Sequence, residues 1–215
     1  MFEMFHIILL IGAYLLGSIP ASVWIGRSFF NIDVREYGSG NAGTTNTFRV
    51  LGTKPGIIVF MLDLMKGFLA VNMAHLTSAF SFNTEYFITY QLILGIAAII
   101  GHVFPLYVGF KGGKGVATLF GVILGISFYP TLIMAGIFFL ILFTTRYVSL
   151  SSIIAGISFP VMVILIFDFQ ALPLIIFSIA IPVLILLTHQ KNIERLLNNN
   201  ESKADFSRFG LGKKK

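Results

Sequence analysis

The chain contains no cysteine, which excludes disulfides and thiolate metal ligands and leaves the redox compartment open. Charge is scarce too. Asp, Glu, Lys and Arg make up 11% of the 215 residues, against roughly 25% in an ordinary soluble domain. That is too little polarity to cover a water-facing surface. With 56% hydrophobic residues and a mean hydropathy of +0.90, the sequence reads as an all-α integral membrane protein. Acids are the scarcer charge, nine against fifteen bases, and they never cluster as a magnesium-dependent phosphotransferase would need. No metal, cofactor or nucleotide is expected. A G-x-S-x-G nucleophile elbow is also missing. The net charge of +6 lies in short loops and the tail, not in a basic stripe, so nucleic acid is not an expected partner. The first residues, Met1 to His6, lack the basic n-region of a secretory signal and are read as the start of a retained span.

A helix crossing the hydrocarbon core needs about 20 apolar residues. Phe5–Trp24, Gly56–Phe80 and Tyr86–Val108 qualify. The uncharged run Val116–Thr145 is too long for one crossing and has a turn signal at Tyr129-Pro130, so it divides into two short helices. Leu150–Phe167 and Ala171–Thr188 complete seven spans. With the amino terminus outside, every one of the fifteen bases except Lys66 falls on one side. The other side carries only the acids Glu3, Glu85 and Asp168. Bases mark the cytoplasmic side, which puts the carboxyl terminus inside. Residues 1–197 form a single polytopic domain in this reading. Residues 198–215 form a basic, mobile tail whose terminal lysines attract anionic headgroups.

Three polar islands interrupt the apolar sequence, and this topology places all three on the cytoplasmic face. The first runs from Gly38 through Ser39, Gly40, Asn41, Thr44 and Asn46 to Arg49. Its glycines free the backbone for φ > 0, so that successive N–H groups can converge into an anion-binding nest. Hydroxyls, amides and one guanidinium add donors suited to phosphate. The second is Lys111-Gly112-Gly113-Lys114-Gly115. It is not a Walker A, because three residues rather than four separate Gly109 from Gly113 and Gly115 follows the lysine. What remains is a glycine loop entering a helix whose amino end favours an anion. The third, His189 to Leu196, places His189, Asn192 and Arg195 on one face if the last span continues as helix, with His189 available as a proton shuttle.

Asp63 and Lys66 lie within the second span, three residues apart. Intramembrane charges are costly and face a bundle interior. They read as a neutralising pair that fixes packing, or as support behind the site. His6, His75 and His102 have no polar company along the chain and read as structural. No internal repeat is visible, so the pointer to an inverted-repeat transporter is missing. A phosphate or organophosphate transporter stays the competing function. It predicts polar groups at mid-membrane or on both faces.

These islands resemble the three signatures of the bacterial membrane acyl-phosphate:glycerol-3-phosphate acyltransferases. Gly17-Ser18-Ile19-Pro20 with Gly38 to Arg49 is similar to the first, Phe110 to Thr118 to the second, and His189-x-x-Asn192-Ile193-x-Arg195-Leu196 to the third. The likeness runs from about Leu15 to Glu201. Asn199 stands where that family usually has glycine, two residues before Glu201, which bears on the local turn and on the role of Glu201. The resemblance implies an enzyme of the bacterial cytoplasmic membrane, with its site facing the cytoplasm and membrane lipid as its surroundings; a monomer is expected. It would pass a fatty acyl group from acyl phosphate to the 1-hydroxyl of glycerol 3-phosphate, giving lysophosphatidate and phosphate. The H-x4-D signature of other glycerolipid acyltransferases is absent. On this resemblance Ser39, Arg49, His189 and Asn192 are the candidate catalytic residues. Gly40, Asn41, Thr44, Asn46, Lys111, Gly112, Gly113, Lys114 and Gly115 are candidates to bind the substrate phosphates. Asp63, Lys66, Arg195 and Glu201 are candidate supports. Either His189 or the donor's own phosphate takes the proton from the glycerol hydroxyl.

Overall fold

The computed structural model describes residues 2–78, 80–82 and 84–205. Among the described residues every regular element is helical, so the all-α reading stands. Four helical stretches, Thr53–Leu76, Glu85–Val108, Phe128–Thr145 and Val148–Ile166, are long and apolar enough to cross a membrane. Two bent helix pairs raise that number to six if each pair is one span. The chain divides into two compact units, Met1–Ser127 and Phe128–Lys215.

In the first unit α1 spans Phe2–Ser18 and α2 spans Ala21–Phe30, with a 44° bend between them. The single span expected over Phe5–Trp24 is therefore two helices. Pro20 has no N–H to donate, and the residue before a proline is pushed out of the α region. The break falls at Ile19-Pro20 for that reason. Then come α3, Thr44–Leu51, and α4, Thr53–Asn72. Helix α5, Glu85–Val103, opens on Thr84, whose hydroxyl accepts from the Phe87 N–H at 3.3 Å. Helix α6 spans Val116–Ile126. Small residues set the helix contacts, as membrane bundles require. A Cβ on Gly17 would strike the Ala98 carbonyl and one on Gly101 the Tyr14 carbonyl, so α1 and α5 meet backbone to backbone. Gly67 against Thr118, and Gly121 against Leu64, do the same for α4 and α6. The outer side of α4 exposes Ile57, Ile58, Met61, Leu62, Met65 and Leu69, side chains that suit lipid rather than water.

The second unit begins with α7, Phe128–Thr145. The long apolar run breaks at Ser127, in an extended conformation, and not at Tyr129-Pro130. Pro130 sits in the first turn of α7, where a missing N–H removes no intrahelical bond. Only one of the two resulting helices is short: α6 has 11 residues and α7 has 18. Helix α8, Val148–Val161, continues into a π turn at Met162–Ile166 just after Pro160. Helix α9, Leu172–Thr188, bends by 65° into α10, Gln190–Leu197. The straight continuation expected beyond Thr188 is replaced by this bend, and His189 stands at it.

Candidate active site

The first island is a loop followed by a helix, and one buried side chain shapes it. Asn46, in the first turns of α3, is only 1% exposed. Its amide donates to the carbonyls of Val34 at 2.7 Å and Tyr37 at 3.1 Å, and its oxygen accepts from the Ser39 N–H at 2.9 Å. Both amide hydrogens and the oxygen are committed to backbone. Asn46 is thereby placed as the clamp of the loop rather than as a direct phosphate donor. Gly38 and Gly40 take φ of +62° and +70°, conformations that glycine adopts without strain. Ser39 is exposed at the top of the loop. Asn41 and Thr44 are half-buried beside it, and Arg49 lies in the last turn of α3.

Ahead of this loop, Asp33 caps a 3₁₀ turn at Val34–Glu36 and accepts from the Arg35 N–H at 3.0 Å. The Arg35 guanidinium grips both oxygens of the same carboxylate, with its shortest contact at 2.7 Å. Arg27 from α2 adds a further contact at 2.9 Å. The Arg35 hydrogen bonds hold the Asp33 carboxyl at about 2, against the burial that would raise it. Arg35 has one more nitrogen, and it donates to the carbonyls of Val108 at 3.0 Å and Lys111 at 3.4 Å. The entrance of the first island is thus tied to the second.

The second island lies flat on the end of α5. The amides of Gly112 and Gly113 donate to the carbonyls of Val103 and His102, each at 3.1 Å. Those two N–H groups are spent, so the backbone cradle expected from Gly112 to Gly115 cannot include them. Helix geometry supplies no intrahelical acceptor to the amides that open α6 after Gly115, and these suit an anion. A Cβ on Gly113 would strike the His102 ring and the Ala42 carbonyl. The two islands therefore approach within van der Waals distance at Ala42 and Gly113. Lys111 is exposed and Lys114 half-buried along this loop.

Directly beneath lies a buried polar cluster. The Lys66 ammonium pairs with Asp63 at 2.8 Å and donates to the Ile19 carbonyl at 3.1 Å. In an unbroken helix that carbonyl would receive the Val23 N–H, which here goes to Pro20. The Nδ1 of His102 lies 3.5 Å from Asp63 and 3.1 Å from the Thr118 hydroxyl. His102, read from the sequence as lacking polar company, therefore has it from two other helices. A cavity of about 10 Å³, lined by Ala42, Asp63, Lys66, His102 and Gly112 among others, is large enough for one water.

The third island belongs to the second unit. His189 is buried and its Nδ1 lies 2.9 Å from the Ile185 carbonyl. A carbonyl only accepts, so Nδ1 carries the hydrogen and Nε2 holds the lone pair in the neutral ring. Asn192, one turn on, donates through its amide to Glu201 at 2.7 Å. Glu201 also accepts from Arg195 at 2.7 Å and from the Ser149 hydroxyl at 2.8 Å. Burial would raise its pKa, but the hydrogen bonds from Arg195, Asn192 and Ser149 outweigh it and keep the carboxyl ionised. Glu201 reaches this position through a Schellman turn. The Asn200 N–H bonds the Arg195 carbonyl, the Asn199 N–H bonds the Leu196 carbonyl, and Asn199 takes φ +55°. Asparagine is the side chain that best tolerates this left-handed position after glycine, so Asn199 preserves the turn. The segment expected as a tail starts under restraint: Ala204 N–H bonds the Arg146 carbonyl, and the Lys203 ammonium lies 5.4 Å from the Tyr147 ring centre. Lys213, Lys214 and Lys215 lie outside the described residues.

Residues 7–199 match the family described as glycerol-3-phosphate acyltransferase. A glycerol-3-phosphate acyltransferase of Staphylococcus saprophyticus is 47% identical, over 93% of this chain and 98% of that one. One from Enterococcus faecalis is 44% identical, over 97% and 95%. Crystal structures of PlsY, an integral membrane glycerol 3-phosphate acyltransferase, in glycerol 3-phosphate and lysophosphatidic acid forms, superpose with TM-scores of 0.83 and 0.80. Both are 35% identical and cover 96% of this chain. The chain belongs to the glycerol-3-phosphate acyltransferase family, and with its apolar helices it is an integral membrane protein.

Proposed function

We propose that this protein transfers a fatty acyl group from acyl phosphate to the 1-hydroxyl of glycerol 3-phosphate. The products are 1-acylglycerol 3-phosphate and inorganic phosphate. The observation that carries the reading is the pair of basic glycine loops joined through Arg35, Ala42 and Gly113. Both substrates carry a phosphate, and such loops supply the guanidinium, ammonium and helix-terminal N–H groups that bind one. Ser39, Arg49, Lys111 and Lys114 orient the phosphates, with Gly40, Asn41 and Thr44 forming the first loop. Asn46 holds that loop's shape. Asp63 and Lys66 support the loops from within the helices. Arg195 and Glu201 hold Asn192.

The glycerol hydroxyl oxygen attacks the acyl carbonyl carbon, and the bond from that carbon to the phosphate oxygen breaks. The leaving phosphate takes the bonding pair. The hydroxyl proton passes to the donor's phosphate, or to the Nε2 of His189. An acyl phosphate already has a good leaving group, so strong base catalysis is not required. On that reading His189 and Asn192 orient the reacting groups, and substituting His189 by Gln leaves substantial activity. Complete loss, with both substrates still bound, would assign the proton to His189.

The reading also includes seven spans, an external amino terminus, a cytoplasmic site, one polytopic domain and a monomer in the bacterial inner membrane. The absence of cysteine makes the topology easy to test. Single cysteines at Thr84 and at Phe110 should react with an impermeant maleimide from opposite faces of sealed vesicles. Reaction from the same face would reject seven spans.

A further inference from the structure

The turn at residues 33–37 touches no substrate group in the reading above, yet its hydrogen bonds reach both loops. Toward the first loop, the carbonyls of Val34 and Tyr37 hold the Asn46 amide, whose oxygen fixes Ser39. Toward the second, Arg35 donates to the carbonyls of Val108 and Lys111. Asp33 is only 8% exposed and locks the guanidinium with both carboxylate oxygens, while Arg27 braces it from α2. A planar guanidinium held on one edge by a carboxylate presents its other nitrogen in a fixed direction. An ammonium on a flexible stem cannot do this.

We propose that Arg35, held by Asp33, is a positioning residue that sets the spacing between the two phosphate-binding loops. Its loss weakens substrate capture before it slows turnover. The inference rests on the reading that these loops hold substrate phosphate. Displacing one loop against the other by a fraction of an ångström separates Lys111 and Lys114 from Ser39 and Arg49. Misplacement of that order is enough to cost substantial binding or rate.

The test uses the full-length enzyme in detergent and compares Arg35→Lys, Asp33→Asn, their double mutant and Lys111→Ala. Steady-state kinetics in both substrates and thermal unfolding are measured for each. Arg35→Lys should raise the KM for at least one phosphate substrate by roughly tenfold while kcat stays within about twofold. Asp33→Asn should do the same. The double mutant should be little worse than either single mutant, because both act through one guanidinium. An unchanged KM in Arg35→Lys, whatever happens to kcat or Tm, overturns the proposal. If that variant does not fold, an unchanged KM in Asp33→Asn does so. Loss of folded protein in both would make the turn a folding element and overturn it equally. Lys111→Ala distinguishes loss of the Arg35 strut from loss of the phosphate site itself. A KM raised in Lys111→Ala but not in Arg35→Lys rejects the strut alone, whereas no effect in either rejects the phosphate assignment beneath it.

Discussion

Glu201 accepts a hydrogen bond from the Asn192 amide at 2.7 Å, and the same carboxylate takes one from Arg195. A residue beyond the last helix thereby fixes an amide one turn after His189. Replacing Glu201 by Gln puts an N–H where an acceptor is needed, and hydrogen bonds to charged groups are worth roughly 1.5–3 kcal/mol. The variant should lose about tenfold or more in kcat and unfold at lower temperature. Unchanged kinetics in detergent would show that Asn192 does not depend on this contact.

The contact of Gly113 with His102 and Ala42 predicts a contrast between two glycines. Gly113→Ala drives a methyl into a ring and a carbonyl, and should displace the loop and abolish most activity. Gly109→Ala meets nothing within 4 Å, although its φ of +70° makes any side chain mildly strained. It should cost only about 1 kcal/mol of stability and keep kcat/KM within a few-fold. Parallel assays of the two purified variants check this, and equal losses would contradict it.

Asp33 gives a pH signature. Its folded pKa of about 2 lies below the ordinary carboxylate value. The stabilisation is therefore complete above about pH 4 and is lost as pH falls toward 2, amounting to roughly 2 kcal/mol. The Tm difference between wild type and Asp33→Asn should be constant from neutral pH down to about 4 and shrink below it. A difference independent of pH across that range would mean that the charge of Asp33 is not what stabilises the turn.

The Asp63–Lys66 pair is buried between helices, so removing one partner leaves the charge of the other without its counter-ion. Asp63→Asn or Lys66→Met alone should cost roughly 3–5 kcal/mol, and the double mutant clearly less than the sum. Additive losses, measured by thermal unfolding in detergent, would show that the two side chains act separately.

Much of this was legible in the sequence. The scarcity of charge pointed to membrane helices, and the three polar islands carried the family likeness. Hydropathy could not see the break at Ile19-Pro20, because averaging over a window ignores one missing N–H. The pattern Gly17-Ser18-Ile19-Pro20 was the available signal. Asn46 was hidden for a different reason. An asparagine in a Gly- and Thr-rich loop looks the same whether its amide faces a ligand or the backbone. His102 looked isolated because its partners, Asp63 and Thr118, come from other helices. Three polar side chains within spans were the clue, since each needs a partner in lipid. Gly112 and Gly113 pack against the end of α5 and give their N–H groups to its carbonyls, and a glycine pair in a basic loop reads the same in sequence whether it serves packing or an anion.

The reaction itself is measured on purified protein in detergent, without metal or nucleotide. It receives glycerol 3-phosphate with either palmitoyl phosphate or palmitoyl-CoA, and lysophosphatidate and phosphate are followed. Both products are expected, in equal amounts, from the acyl phosphate alone. Product from the thioester alone, or none from either donor with the protein folded, would contradict the proposed transfer.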